Sequence, residues 1–252
     1  MIAETAGMWA LLILATLFAS VSKAGFGSGA AFLSSALLAL VLPPIEALAL
    51  MLPLLVVVDL ATLRPYWGKW DASMAWQLVG WALPGIALGW VILAARPENV
   101  IRALIGLMCL LFVAWRGWQI VSRRVPLSAN LPRWAVPVAG GMAGFASFVS
   151  HAGGPAVTVI LLLRGFTKTR FQATTVLVFF AINIVKLAIY GAMGVFTRPV
   201  LLTGTVLIPV ALVGAWLGVV AHRIIPERAF FALTYLLLSL TGVRLLWVAV
   251  AG

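Results

Sequence analysis

Acidic residues are scarce in this chain: six Asp and Glu in 252 residues, beside two His and one Cys. So small a stock argues against a metal centre, which needs clustered His, Cys or carboxylates. It also argues against an aspartyl mechanism, which needs two carboxylates within reach, and Asp59 has no second one beside it. The lone Cys109 cannot close an intramolecular disulfide. No cofactor and no metal ion are expected, and an intramembrane enzyme is the weaker alternative reading. Charge as a whole is thin, at 9% of residues, where an ordinary soluble domain has about 25%.

What fills the space is apolar. Hydrophobic residues make up 64% of the chain and the mean hydropathy is +1.15, so the solvent this chain is written for is lipid. Segments 44–63, 74–95, 99–115, 172–195, 200–221 and 229–250 approach or reach the roughly 20 residues that a helical span needs. Strands of a membrane barrel would alternate apolar and polar residues over about 10 positions, whereas Leu48 to Val58 is apolar all round. The net charge of +11 falls in short loops between spans, so it reads as positive-inside sorting and no nucleic-acid partner is expected. Trp67, Trp70, Trp76, Trp115, Trp118, Trp134 and Trp247 lie near span ends, as an aromatic belt requires. The first apolar stretch, Met8 to Val21, is followed by Ser22-Lys23-Ala24 and has a signal peptide's outline. Glu4, and no basic residue, precedes it, so the segment is expected to stay in the mature protein.

The chain reads as one unit written twice at an offset of about 125 residues. Gly29 matches Gly154, Leu37 matches Leu162, Pro84 matches Pro209 and Gly89 matches Gly214. Each half opens with an apolar stretch, a Gly/Ser-rich break and a second apolar stretch, and three longer spans follow. The breaks are Lys23-Ala-Gly-Phe-Gly-Ser-Gly29 and Ser150-His-Ala-Gly-Gly-Pro155. The expected fold is therefore an all-α membrane protein of two inverted repeats, residues 1–122 and 137–252. A basic linker, 123–136, joins them within one integrated transmembrane domain. Stretches of ~15 residues fall short of a ~30 Å core, which favours re-entrant hairpins over short full spans.

Basic residues set the orientation. With Arg116, Arg123, Arg124 and Arg133 around the linker placed in the cytoplasm, Arg64, Lys69, Arg164, Lys168, Arg170, Arg223 and Arg228 fall on the same side. Only Arg96, Arg102, Arg198 and Arg244 fall outside. Both termini come out periplasmic and the halves insert with opposite topology, a ground plan of secondary transporters whose site lies where broken helices meet.

A helix starting after a glycine-rich break presents unpaired N–H groups and the positive end of its dipole. Two such starts, around Gly27, Ser28 and Gly29 in the first half and Gly153 and Gly154 in the second, would converge on one small anion. The bland account is that these glycines let helices pack closely. The breaks also carry Lys23, Ser28, Ser150 and His151, polar groups that lipid tolerates only with a partner or a wet cavity. Lys23 could contact the anion or snorkel, and His151 could donate to the anion or couple a proton. Asn183 and Lys186 share one face of the span 172–195, with Tyr190 a turn further. Asp59 is the one acidic residue deep in a span. It either pairs with Lys186 to hold the halves together, or serves a coupling cation or proton while Lys186 meets the substrate. His222, in a basic loop, reads as a solvated surface residue.

His151-Ala-Gly-Gly-Pro155, Lys168-Thr-Arg-Phe171, Thr174-Thr175 and Phe179-Phe-Ala-Ile-Asn183-Ile-Val-Lys186 resemble the second-half signature of the TauE/SafE family of sulfite exporters. Gly25-Phe-Gly-Ser-Gly29 resembles that family's first-half glycine motif, with Ser28 where a third glycine is common. The resemblance spans essentially the whole chain. It implies export of sulfite, a sulfonate or a related small organic anion through a bacterial inner membrane, with the lipid bilayer as surroundings and a homodimer left open. A passive anion channel built on the same helix starts is the alternative.

Overall fold

A computed structural model of the protein describes residues 2, 5–26, 31–95, 98–122, 131–224 and 227–251. Among these residues there is no strand. The helices are α1 (Ala6–Phe26), α2 (Phe32–Leu38), α3 (Pro44–Leu63), α4 (Ala72–Ala95), α5 (Glu98–Ser122), α6 (Ala135–Ser150), α7 (Gly154–Leu163), α8 (Lys168–Ala192), α9 (Arg198–Ile224) and α10 (Glu227–Ala251). A 3-10 turn, Arg64–Tyr66, follows α3. In lipid every backbone polar group must be satisfied within the segment, which is why apolar runs of this length become helices. Punctuation is local: Pro44 sits in the first turn of α3 and Thr167 caps α8. Left-handed Gly165 and Gly194 turn the chain at the two ends of α8.

Among the described residues, seven helices are long and apolar enough to cross a membrane. They include the six segments read from hydropathy and, in addition, α1. The opening pairs of the two halves are not the equal stretches of about 15 residues that the sequence suggests. α6 and α7 have 16 and 10 residues, but α1 runs for 21 and leaves α2 only 7. Helix α1 continues through Lys23, Ala24 and Gly25, so these residues belong to its last turns and not to a hairpin tip. The reason lies on another helix. Gly25 faces α9 so closely that a Cβ there would run into the backbone carbonyl of Gly218, and the glycine serves packing rather than a break.

The same kind of contact recurs on the other side of the molecule, where a Cβ on Gly144 of α6 would collide with the carbonyl of Ala82 on α4. α1 lies along α9 and α6 lies along α4, so each half's opening helix is packed against the other half's chain. α5 and α10 pair, and α3 packs against α8. α3 is the most enclosed span, with 67% of its apolar window buried and none of the other six above 44%. It stands, with α8, at the centre.

Candidate functional site

The polar groups of this apolar protein gather where α3 and α8 cross. Asp59 stands fifteen residues after the start of α3 and Asn183 fifteen after the start of α8. The two side chains meet there, Asn183 Nδ2 donating to Asp59 Oδ2 at 2.9 Å. The same oxygen accepts from Lys23 Nζ, also at 2.9 Å, and both charged groups are buried. Asp59 Oδ1 is buried and has no hydrogen-bond partner among the described residues. Asp59 is therefore paired with Lys23 of its own half. Of the two alternatives for Asp59, the direct ion pair with Lys186 is not formed, because α1 places the Lys23 ammonium on the carboxylate instead.

Lys186 takes different company. It is fully buried, and its Nζ lies 2.5 Å from Ser147 O, 3.2 Å from Ser147 Oγ and 2.6 Å from His151 Nδ1. Three neutral acceptors match the three N–H bonds of an ammonium. No carboxylate among the described residues lies within ion-pair distance of it. His151 is held from its other side by Leu48 O of α3 at 3.1 Å. A carbonyl only accepts, so Nε2 carries the hydrogen, and with Lys186 an ammonium Nδ1 is the bare nitrogen that receives it. The imidazole is thereby fixed as one neutral tautomer.

The second break is built around this residue. His151 caps α6 in the left-handed region, at φ 58°, the one non-glycine residue with positive φ among those described. Its N–H returns to Ser147 O, and Ala152 N returns to Ala146 O. Gly153 has no room for a side chain: a Cβ would stand 2.6 Å from Ala143 O and 2.8 Å from Phe179. No side chain caps α7, whose first turn contains Pro155. Buried Gly154 opens it.

Ser150 does not aim its hydroxyl into the centre. Its Oγ donates to Ala146 O one turn back, and its carbonyl is 3.1 Å from Ser35 Oγ of α2. Gly27, Ser28 and Gly29 lie outside the described residues, as does the side chain of His222. Four residues that the sequence reading passed over complete the arrangement. Ser35 joins α2 to the second break, Ser147 holds Lys186, and Leu48 supplies the carbonyl that orients His151. Gln172 Nε2 donates to Lys23 O at 3.2 Å, tying the end of α1 to α8. The serines had a visible signal, since a polar side chain in an apolar helix beside a glycine break invites a search for its partner. The carbonyl had none. Tyr190 is structural, donating to Phe148 O at 2.8 Å and stacking edge-on with that ring.

Seven span-length apolar helices around a buried cluster of ionisable groups define a multi-pass membrane protein with a polar centre. The family model described as "Sulfite exporter TauE/SafE" matches residues 12–245, and the chain belongs to that family. A relative described as "Probable inner membrane transporter protein TsaS", from Comamonas testosteroni, is 24% identical over 197 residues. The match covers 76% of this chain and 81% of the relative. No solved structure matches.

Proposed function

We propose that the protein is a secondary transporter that carries a small sulfur-containing anion, sulfite or a sulfonate, out across the bacterial inner membrane, coupled to a proton or another ion. One observation carries the reading. At the centre of an apolar protein two buried lysines stand near one buried carboxylate, so with both amines protonated one positive charge is in excess. An isolated charge in the bilayer is costly and marks a pathway. A small anion cancels it. The N-terminus of α7 and Lys186 supply the field, and an incoming anion replaces the longest contact of Lys186, that to Ser147 Oγ. Lys23 bonds Asp59 with one of the three N–H groups of its ammonium, and reaches the same centre.

The inverted-repeat reading is supported by the meeting of Asp59 and Asn183 at matching depths of α3 and α8, and by the exchanged packing of α1 with α9 and α6 with α4. With the halves inserted oppositely, these contacts fall near the membrane midplane. Family membership and the transporter relative support the substrate class and the inner membrane.

Purified protein should be stabilised by one or more of sulfite, sulfate, thiosulfate, sulfoacetate and taurine, since a ligand adds RT ln(1 + [L]/Kd) to stability. Vesicles preloaded with the same anion should show counterflow, which a passive channel lacks. No thermal shift with any of the five removes the reading. The topology is tested apart from transport. Cys109 is buried, so Ser128→Cys provides the reactive thiol, and impermeant reagents should fail to label it in intact cells. Ready labelling there would overturn the inverted arrangement.

A further inference from the structure

We infer that the central site accepts one net negative charge: a monoanion binds while Asp59 is ionised, whereas a dianion binds together with one proton, which adds to the unpartnered Oδ1 of Asp59 as Lys23 changes partner from that carboxylate to the anion. The inference rests on the reading of the centre as an anion site, and names the coupling ion and its stoichiometry.

The geometry of Asp59 carries it. Both donors at this carboxylate, Lys23 Nζ and Asn183 Nδ2, go to Oδ2, and Oδ1 is buried without a partner. A buried oxygen of a carboxylate with no donor is an anomaly that needs an explanation, and a proton supplies one. At Oδ2 the neighbours are N–H donors, which repel a metal cation and tolerate a proton added to the other oxygen. Protonation breaks no covalent bond: the proton adds to Oδ1, the carboxylate becomes a neutral acid, and the Asn183 contact can remain. The ammonium of Lys23 loses its one anionic partner.

The charged groups that face Asp59 from each neighbour are few. α1 contributes Lys23 and α8 contributes Lys186. His151, held neutral between Lys186 and Leu48 O, reaches α3 from the second break. α2 contributes none. Arg64 after α3 and Arg198 of α9 are exposed, and Arg102 of α5 is paired with Glu98 at 3.1 Å. With both lysines protonated, the centre holds one excess positive charge when Asp59 is ionised and two when Asp59 is protonated. A monoanion neutralises the first state and a dianion the second. Protonation without a dianion strands two buried ammonium groups, which bilayer energetics oppose, so the site resists a bare proton leak. Each turnover then moves one net negative charge whichever anion is bound, and an inside-negative membrane potential favours its exit. Binding linkage makes the coupling reciprocal: a dianion must draw the proton in as strongly as the proton draws the dianion.

The test uses thiosulfate as the dianion and methanesulfonate as the monoanion, added to purified protein in lightly buffered detergent solution with a pH indicator. Thiosulfate binding should take up about one proton per protein and methanesulfonate none. In Asp59→Asn, whose centre permanently carries the charge of the protonated form, thiosulfate should bind with no uptake. On the parent protein alone, difference infrared spectra should show a protonated-carboxyl C=O stretch rising with thiosulfate and not with methanesulfonate. Thiosulfate binding with neither proton uptake nor that band overturns the inference and leaves the anion site standing. Equal uptake in the parent and in Asp59→Asn overturns it as well. Binding of neither probe, nor of any anion in the thermal-shift panel, would instead remove the transport reading on which it rests.

Discussion

Lys23 and Lys186 occupy opposite halves of the protein, both buried and both reaching from one helix to another. Lys23, at the end of α1, has a carboxylate at 2.9 Å that shares its burial. Lys186, on α8, has a carbonyl, a hydroxyl and an imidazole nitrogen, and each of the three is neutral. The difference separates two uses of the same residue. An ammonium beside a carboxylate is compensated, and its removal strands the partner in a medium that cannot solvate it. An ammonium among neutral acceptors is sterically satisfied but electrostatically open, and its field is available to a ligand. On the proposed transport reading, the first half supplies the charge that holds the resting centre together, and the second half supplies the charge that attracts.

The largest effect on folding is expected where compensation is broken. Lys23→Met leaves Asp59 buried with only Asn183 as donor, and should cost about 3–5 kcal/mol of stability at neutral pH. Adding Asp59→Leu should recover most of it, because replacing both partners removes the stranded charge. Chemical or thermal unfolding of the reconstituted variants reads this directly. The contrast drawn here collapses if Lys23→Met is as stable as the parent.

Lys186→Met should do the reverse. No carboxylate among the described residues is within ion-pair distance of it, and methionine is of similar length, so the fold is expected to hold. The anion loses its charge partner, a loss of about 2–5 kcal/mol, or roughly 30-fold or more in affinity. Binding per folded molecule, measured on monodisperse protein, distinguishes the two lysines. Normal transport by Lys186→Met would make this residue structural and move the site elsewhere.

The third comparison sets two glycines side by side. Gly25 touches the backbone of Gly218, so Gly25→Leu must push α1 from α9 and should destabilise by about 1–3 kcal/mol or more, with the surviving protein binding normally. Gly154→Leu, at the start of α7, should spare more of the fold and lose the anion. If both variants bind like the parent, the glycines of both halves serve packing alone.

These contrasts also show what the sequence could reveal. Six spans were legible because twenty apolar residues have one stable arrangement in lipid, and Asn183 and Lys186 were legible because a polar or ionisable residue in such a run needs a reason. The family was legible from His151 to Pro155 and from Phe179 to Lys186. The length of α1 was not, because Gly25 reads as a helix breaker until Gly218 is known to lie against it. The partner of Asp59 was equally hidden. Three buried charges permit two pairings, and the choice depends on how far α1 extends past the centre. The role of Ser147 and of the Leu48 carbonyl belongs to tertiary geometry, which no local pattern encodes.

The smallest expected effect lies at the point where the two opening pairs touch. Ser35 Oγ of α2 is 2.9 Å from Phe32 O of its own helix and 3.1 Å from Ser150 O at the end of α6. A hydroxyl has a single hydrogen, so it serves one carbonyl at a time and the link between the halves is held part of the time. Ser35→Ala removes that link without adding volume, and should cost about 0.5–1.5 kcal/mol, the usual worth of one hydrogen bond. Ser35→Thr keeps the hydroxyl and should restore the loss if the buried site admits one methyl group. Because Ser150 precedes His151, loosening it should also reach the ligand, with anion affinity falling by roughly 2- to 12-fold for the same energy. The measurement is a pair of curves for each variant, unfolding and anion titration, on the same preparation. A Ser35→Ala protein that loses more than Gly25→Leu would reverse the ranking, and would place the joint between the halves at α2 and Ser150, not along the glycine contacts of α1 with α9 and α6 with α4.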